Sequence, residues 1–473
     1  MEMTTSVQSI VSNGLAQLRD AFDGELILPG DAGYEEARKV WNGMIDRYPA
    51  LIARPASTAG VVQAINYARE RGLLLSVRGG GHNVAGHATN DGGIVVDLQN
   101  LNHVRVDPQQ LIVRAGGGAT IGQLDQATQE YGLVVPMGVV SATGIAGLTL
   151  GGGFGWLRNK FGLASDNLIA AEVVTASGAV VYASEDENAD LLWGLRGGGG
   201  NFGVVTEFAY RAYPLGPDVY MAFAFHDARG DRLKRAIQFY RDFTRQAPDE
   251  VGTLLSAGII PPIAGHFPED IHNVPFVVFA GMFAGDPEDG HQVLQPLVEF
   301  ARPLIDYSGV TPYIKAQTYF DEDYPNGMRY YWKSLNLTRL DDDVIDRIVE
   351  HTRRQPSVLS TVDLWDIGGK VARVSPSKGA FFGRHTAFLL NPEANWEDEA
   401  DDAANVHWVR DFVDDMQQFS DGSRYLNFAG FQEEGDALVR EGFGAQYGRL
   451  AALKSKYDPH NLFRLNQNVK PES

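Results

Sequence analysis

The sequence predicts an α+β fold, and three observations carry that expectation. Helical and hairpin patterns are mixed, without the regular strand–helix–strand repeat of a doubly wound sheet. Glycine is concentrated in the first 215 residues, and from about 216 the texture changes to longer amphipathic helices between strands. Near residue 430 the pattern shifts again, and 473 residues is too long for one small core. We therefore divide the chain into an N-terminal domain over 1–215, a second domain over 216–430 and a C-terminal segment over 431–473.

The elements follow in order. Val61, Val62, Ile65 and Ala68 share one face of a helix over 57–72, with Gly72 as its stop. The run "LLLSV" (73–77) is a strand leading into Gly79, Gly80 and Gly81. Residues 93–98 and 111–118 read as strands, and 120–132 as a helix. Residues 169–184 form a hairpin turning at Ser177-Gly178. A helix over 189–197 precedes a long strand over 202–215. Later, 231–246 and 342–355 are amphipathic helices, 276–285 and 358–365 are strands, and 447–463 is a helix that stops at Asp458-Pro459.

Composition excludes several classes of function. There are no cysteines, so disulfides, thiolate zinc sites and cysteine nucleophiles are absent. Sixty acidic residues against 40 basic ones give a formal charge of −20, which repels phosphate backbones and argues against nucleic-acid binding. No run of 18 apolar residues occurs, so no membrane helix is expected. The N-terminus lacks the basic start and apolar block of a signal peptide, and a cytoplasmic location is expected.

Four glycine clusters stand at 79–81, 116–118, 151–155 and 197–200. Gly198, Gly200 and Gly203 spell G-x-G-x-x-G, but a helix precedes them and a strand follows, the reverse of a dinucleotide fold. One cluster alone reads as a tight turn. Four suggest loops converging on an extended polyphosphate ligand, bound by bare backbone N–H groups. His82 follows the first cluster directly. Taken alone, it reads as a loop histidine bonded to backbone.

These residues carry a family resemblance. "VRGGGHNVAGHATNDGGIVVDL" (77–98) resembles the first FAD-binding segment of the vanillyl-alcohol-oxidase superfamily, with its PCMH-type FAD domain. Within it the chain is similar to the berberine-bridge-enzyme-like FAD-linked oxidases. "GLTLGGGFGWLRNKFGLASDNL" (147–168), "LLWGLRGGGGNFGVVTEF" (191–208) and "YDPHNLFRLNQNV" (457–469) match their other blocks in order. The resemblance implies a two-lobed FAD domain, built from the first 215 residues and the C-terminal segment. Between them it implies a substrate domain with an antiparallel sheet covered by helices. It also implies an oxidase that moves hydride from a small organic substrate to FAD and then electrons to O2, giving H2O2. His82 matches the histidine bonded to the flavin 8α-methyl. Further positions implied at the cofactor are Arg78, Gly79, Gly80, Gly81, Asn83, Gly86, His87, Gly138, Thr143, Gly144, Gly147, Gly152, Gly153, Gly200, Val205, Asn466 and Asn468; no metal is implied. Some relatives add a second bond from a cysteine. Its position here is Val140, so a single bond is expected.

The substrate half departs from the family pattern. The family's Y-x-N-Y is here Tyr425-Leu426-Asn427-Phe428, which places Phe428 where the usual base stands. A family carboxylate falls at Leu390. With both assignments the common base is missing. Strand alternation puts Leu359, Thr361, Asp363 and Trp365 on one face, and the resemblance turns Trp365 toward the flavin. Asp363 and Tyr425 are then the candidate catalytic groups, in a pocket with Trp365, Phe428 and Leu390. Asp363 also reads as a satisfied polar residue at a domain seam, and Tyr330, Tyr331 and Trp332 as core or cage. A pocket without the tyrosine base resembles the hydroxynicotine oxidase branch, which oxidises a C–N bond. An amine needs little base help, whereas for an alcohol such help is worth ~10²–10⁴-fold. Alternatives are an alcohol or carbohydrate oxidase with another base, and a non-catalytic flavin- or metabolite-binding protein.

Overall fold

The computed structural model describes residues 14–263, 265, 267–431 and 435–472. The apolar stripe of the first predicted helix, with Val61, Ala64, Ile65 and Ala68, is buried by the helix Thr58–Arg71 against a four-stranded sheet. Gly72 closes that helix at φ 62°, a conformation that costs glycine nothing. The sheet order is Gly24–Ile27, Leu51–Pro55, Ile94–Asp97, Leu75–Arg78, with the first pair antiparallel and the rest parallel. All four residues of Ile94–Asp97 are buried.

The second sheet is antiparallel and five-stranded, ordered Val104–Asp107, Ile112–Gly116, Val204–Arg211, Leu168–Val174, Val180–Ser184. The last two strands are the predicted hairpin, with Gly178 at φ 83° in its turn. A capping box of Thr120 and Gln123 starts the helix Ile121–Gln129. The strand predicted over 202–215 is broken: it leaves the sheet at Arg211, and Tyr213–Pro214 pairs instead with Leu133–Val134.

The third sheet is antiparallel and nine-stranded, and Pro275–Phe283, Val251–Ile259, Thr361–Asp366 and Phe388–Trp396 are consecutive neighbours in it. Strand alternation gives it two faces. Val362, Leu364, Leu390 and Ala394 pack under the helices Arg232–Thr244, Asp342–Thr352 and Asp402–Met416. Leu254, Trp365 and Leu389 turn the other way, onto Phe154, Trp156 and Leu163 from the glycine-rich half. Arg158, fully buried, fastens these halves. Its guanidinium donates to Asp366 Oδ1, to the Asp366 carbonyl at 3.0 Å and to the Thr253 carbonyl at 2.6 Å, while Asn159 Nδ2 donates to Asp366 Oδ2 at 2.6 Å.

The last helix, Tyr447–Tyr457, stops just before Asp458, and Leu450, Leu453, Tyr457 and Val469 join the core of the five-stranded sheet. Lys454 and Asp458 form an ion pair of 2.7 Å with both side chains fully buried. Lys454 Nζ also donates to the carbonyls of Asn201 and Phe463, and Asp458 accepts from the N–H groups of Leu462 and Phe463, all at 2.8 Å. All three ammonium protons of Lys454 are used, and together these bonds tie the tail at 458–463 to the Asn201 carbonyl at the end of the glycine loop. Lys454→Met leaves Asp458 as an uncompensated buried charge and should destabilise the protein by about 3–5 kcal/mol in chemical denaturation. A loss below ~1 kcal/mol would mean that the pair does not hold the tail.

Candidate active site

A cavity of about 270 Å³ is lined by residues of all three sheets and of the C-terminal tail. At one end its wall is bare backbone. The loop Gly79–Gly81 lies against Gly144 so closely that a Cβ on Gly80 would stand 2.3 Å from Gly144 N, and one on Gly144 2.2 Å from Gly80 N. Gly147 and Gly200 are the opposite case: a Cβ there would meet no atom within 4 Å and would project into the cavity. Gly138, Asn83, Thr143, Val205 and Asn466 complete this end, and His87 stands beside it. An extended ligand with anionic oxygens suits such a lining, because peptide N–H groups can reach it without intervening side chains.

Several expected contacts lie elsewhere. Arg78 does not face the cavity; its guanidinium donates to Asp97 at 2.7 Å and to the Lys39 carbonyl at 3.0 Å, bracing the strand beneath. Gly86 packs on Ile45, Gly153 N–H donates to the Tyr425 hydroxyl, and Gly152, like Gly86, Gly153 and Asn468, is absent from the wall. The cluster 116–118 does not converge on the cavity either. A Cβ on Gly117 would meet the Val205 carbonyl at 2.3 Å and one on Gly118 the Leu98 carbonyl at 1.8 Å, so those glycines serve strand-to-loop packing.

His82 stands on the cavity wall with its Nε2 buried and lacking a hydrogen-bond partner. Desolvation pushes its pKa down to about 4, so the imidazole is neutral at physiological pH. Val140 lies on the same wall, and the chain has no cysteine that could form a second link. The bare backbone and the unsatisfied ring nitrogen fit FAD held at His82.

The other end of the cavity is aromatic and acidic. Asp363 and Trp365 point into it while Val362 and Leu364 point away, as alternation predicts. Leu390 does not reach it. It lies in the helix-covered core, on the far face of the strand Phe388–Trp396. A carboxylate of the same strand does reach the cavity: Glu393 stands three residues on, and an odd step crosses the sheet, so Glu393 lines it where Leu390 cannot. Glu393 Oε2 accepts from the Tyr324 hydroxyl at 2.7 Å, and Oε1 accepts from Asn391 Nδ2. Asp363 Oδ1 has no partner. Burial pushes Asp363 up to about 7. Burial, and then the charge of Asp363, hold Glu393 well above the usual carboxylate range. The two titrate as a pair, in which Glu393 keeps its proton while Asp363 ionises. Among the described residues no Lys or Arg lines the cavity.

Tyr425 lines the cavity but is poorly placed to act as a base. Its hydroxyl accepts from Gly153 N–H at 3.1 Å and from Asn427 Nδ2 at 2.9 Å, and burial raises its pKa. It is a neutral phenol that keeps its own proton to donate. Phe428 packs edge-on against Tyr425 and Trp332, at 4.8 Å and 5.9 Å. The trio 330–332 splits: Tyr331 enters the core under the helices, Trp332 the cavity, and Tyr330 a stack with Trp41. Glu393 was within reach of sequence reasoning, since Asn391, Glu393 and Asn395 alternate with apolar neighbours. Tyr324 and Trp41 belong to no motif.

Comparison with known proteins agrees with this geometry. An FAD binding domain model matches residues 49–184, and a berberine and berberine-like model matches 424–470. The (R)-6-hydroxynicotine oxidase of Paenarthrobacter nicotinovorans is 30% identical over 465 residues, covering 96% of this chain and 98% of that protein. The glucooligosaccharide oxidase of Sarocladium strictum is 27% identical over 510 residues, covering 98% and 97%. The crystal structure of 6-hydroxy-D-nicotine oxidase from Arthrobacter nicotinovorans superposes with a TM-score of 0.86 at 29% identity, covering 96% of this chain and 99% of that one. The chain belongs to the berberine-bridge-enzyme-like FAD-linked oxidoreductases, and it is an enzyme of that class.

The empty space at Gly200 gives a direct test of the cradle. Gly200→Val places its Cβ where no protein atom lies within 4 Å and extends its methyls into the space a ligand would use. The melting temperature of the FAD-free protein should hold within a few degrees, while FAD affinity should drop about tenfold or more. Unchanged FAD affinity of Gly200→Val in a His82→Ala background, where flavin binds reversibly, would remove Gly200 from the FAD site.

Proposed function

We propose that the protein is an oxidase that takes hydride from a small substrate bearing an amine or hydroxyl group, with Asp363 and Glu393 as its acid–base pair. The observation carrying this reading is the pair of buried carboxyls at the aromatic end of a cavity whose other end is bare backbone. The glycines of 79–81, Gly144, Gly147 and Gly200 would hold the diphosphate, and His82 would hold the flavin covalently. The chemistry that FAD supplies when bound is acceptance of two electrons from the substrate and their delivery to O2, giving H2O2.

The residues around the substrate have separable tasks. Trp332, Trp365 and Phe428 exclude water and present flat apolar surface. The carboxyl pair, with one proton between two groups, carries a negative charge that attracts an ammonium group. It can take the proton whose loss frees the nitrogen lone pair, or the O–H proton of an alcohol. Tyr324, donating to Glu393, orients that carboxyl. The expectation that substrates need little base help rested on Phe428 at the base position and Leu390 at the acid position; Phe428 stands, but Glu393 supplies a cavity carboxylate where Leu390 does not. Oxygen consumption measured over amines, sugars and phenolic alcohols would identify the substrate class; no turnover with any class would sink the reading.

Two outcomes are expected of the purified enzyme. After acid denaturation, flavin fluorescence should remain with the polypeptide on one peptide containing His82, and His82→Ala should release all of it. In anaerobic stopped-flow measurements, flavin reduction should be slow while both carboxyls are protonated and should rise with pH through a midpoint near 7. Asp363→Asn should lower the limiting rate by ~10²–10⁴-fold. Glu393 still holds its proton when Asp363 ionises, so Glu393→Gln removes no charge at that step and should leave the midpoint near 7. A midpoint that follows each substrate's own pKa in all three proteins would show that the pair takes no proton.

A further inference from the structure

We propose that Trp41 is the positioning residue for the flavin-attachment histidine, an inference that rests on the reading of His82 as the attachment site. Trp41 is buried, 3% exposed. Its ring stacks on His82 at 4.2 Å and 17°, and on Tyr330 at 3.7 Å and 14°. Its indole N–H donates to the Tyr324 carbonyl at 2.9 Å. Its backbone N–H donates to the carbonyl of Gly81, the residue before His82, at 3.2 Å, and its carbonyl accepts from Gly327 N–H at 2.9 Å. Asn42, next in the chain, donates to the carbonyls of Val84 at 2.7 Å and Tyr330 at 2.9 Å. Two residues thus clasp the loop on both sides of His82 and join it to the 324–330 segment, whose Tyr324 orients Glu393.

The need for such a clasp follows from the loop itself. Gly81 at φ 70° gives the backbone before His82 unusual freedom, and Nε2 has no hydrogen bond to fix the ring. Beside the ring's own contact to the His82 backbone, the plane of the imidazole is therefore set by the face packed on it. Attachment exchanges a methyl C–H and an imidazole N–H for one C–N bond, releasing two protons and two electrons; the electrons go to O2, the oxidant of the proposed activity. The ring nitrogen must meet the methyl carbon in line, and an error near 1 Å in such geometry costs about a hundredfold in rate.

The experiment adds FAD to FAD-free wild type, His82→Ala, Trp41→Phe and Trp41→Leu. It follows the fraction of flavin that stays with the polypeptide after acid, and measures reversible FAD binding separately. Trp41→Leu should bind FAD but attach it about tenfold more slowly or worse, whereas Trp41→Phe, which keeps a ring face, should stay within about threefold of wild type. Attachment by Trp41→Leu at the wild-type rate, or equal slowing by Phe and Leu, would overturn the proposal. Should Trp41→Leu not fold, Tyr330→Leu strips the outer face of the stack and is read in the same way. Release of all flavin by the wild type would instead sink the reading of His82 and leave Trp41 a packing residue.

Discussion

The arrangement of the site depends on one buried ion pair. Arg158 has no access to water, and its charge is tolerable only because Asp366 and three backbone carbonyls take its hydrogen bonds. Those partners come from both halves of the molecule. Gly155 belongs to the glycine-rich half, and Thr253 and Asp366 belong to neighbouring strands of the large sheet. The guanidinium also lies 5.2 Å from the Trp365 ring centre, over its face. Through Asp366 it therefore sets the height of the strand that carries Asp363 and Trp365 against the wall that carries the cradle. Distances across the cavity are fixed before any ligand arrives, which is how an active site avoids reorganisation during the reaction.

Desolvation then acts on every titratable group along that cavity in the same sense, toward neutrality. It lowers the histidine to about 4 and raises the aspartate to about 7. A neutral imidazole keeps a free ring lone pair. An aspartate poised near 7, beside a glutamate held well above the carboxylate range, can give or take a proton without a large energetic step. The surplus of acid on the chain, formally −20, has no direct part in this: those groups are mostly solvated, and screening confines their influence.

The sequence made the cradle legible because close backbone approach leaves glycine no substitute, and it marked His82 through the block around it. Alternation placed Asp363 and Trp365 on the correct face of their strand. The failures have equally physical causes. Glycine at 116–118 answers a steric demand from neighbouring backbone that is chemically indistinguishable, in sequence, from the demand of a ligand. Leu390 was three residues from the acid, and an odd offset in a strand changes the face. Trp41 and Tyr324 stand 283 residues apart, and only the topology brings them together.

The alternation in Phe388–Trp396 has a consequence for how this enzyme can diverge. Leu389, Asn391, Glu393 and Asn395 face one way, while Leu390, Pro392, Ala394 and Trp396 face the helices. Gain or loss of a single codon ahead of Glu393 would invert that order, pushing a carboxylate and two amides into an apolar core and leucine into the cavity. Unless a β-bulge absorbs the extra residue, new specificities here arise by substitution or by length changes in steps of two. In a strand of this kind the reading frame of the protein is two residues long.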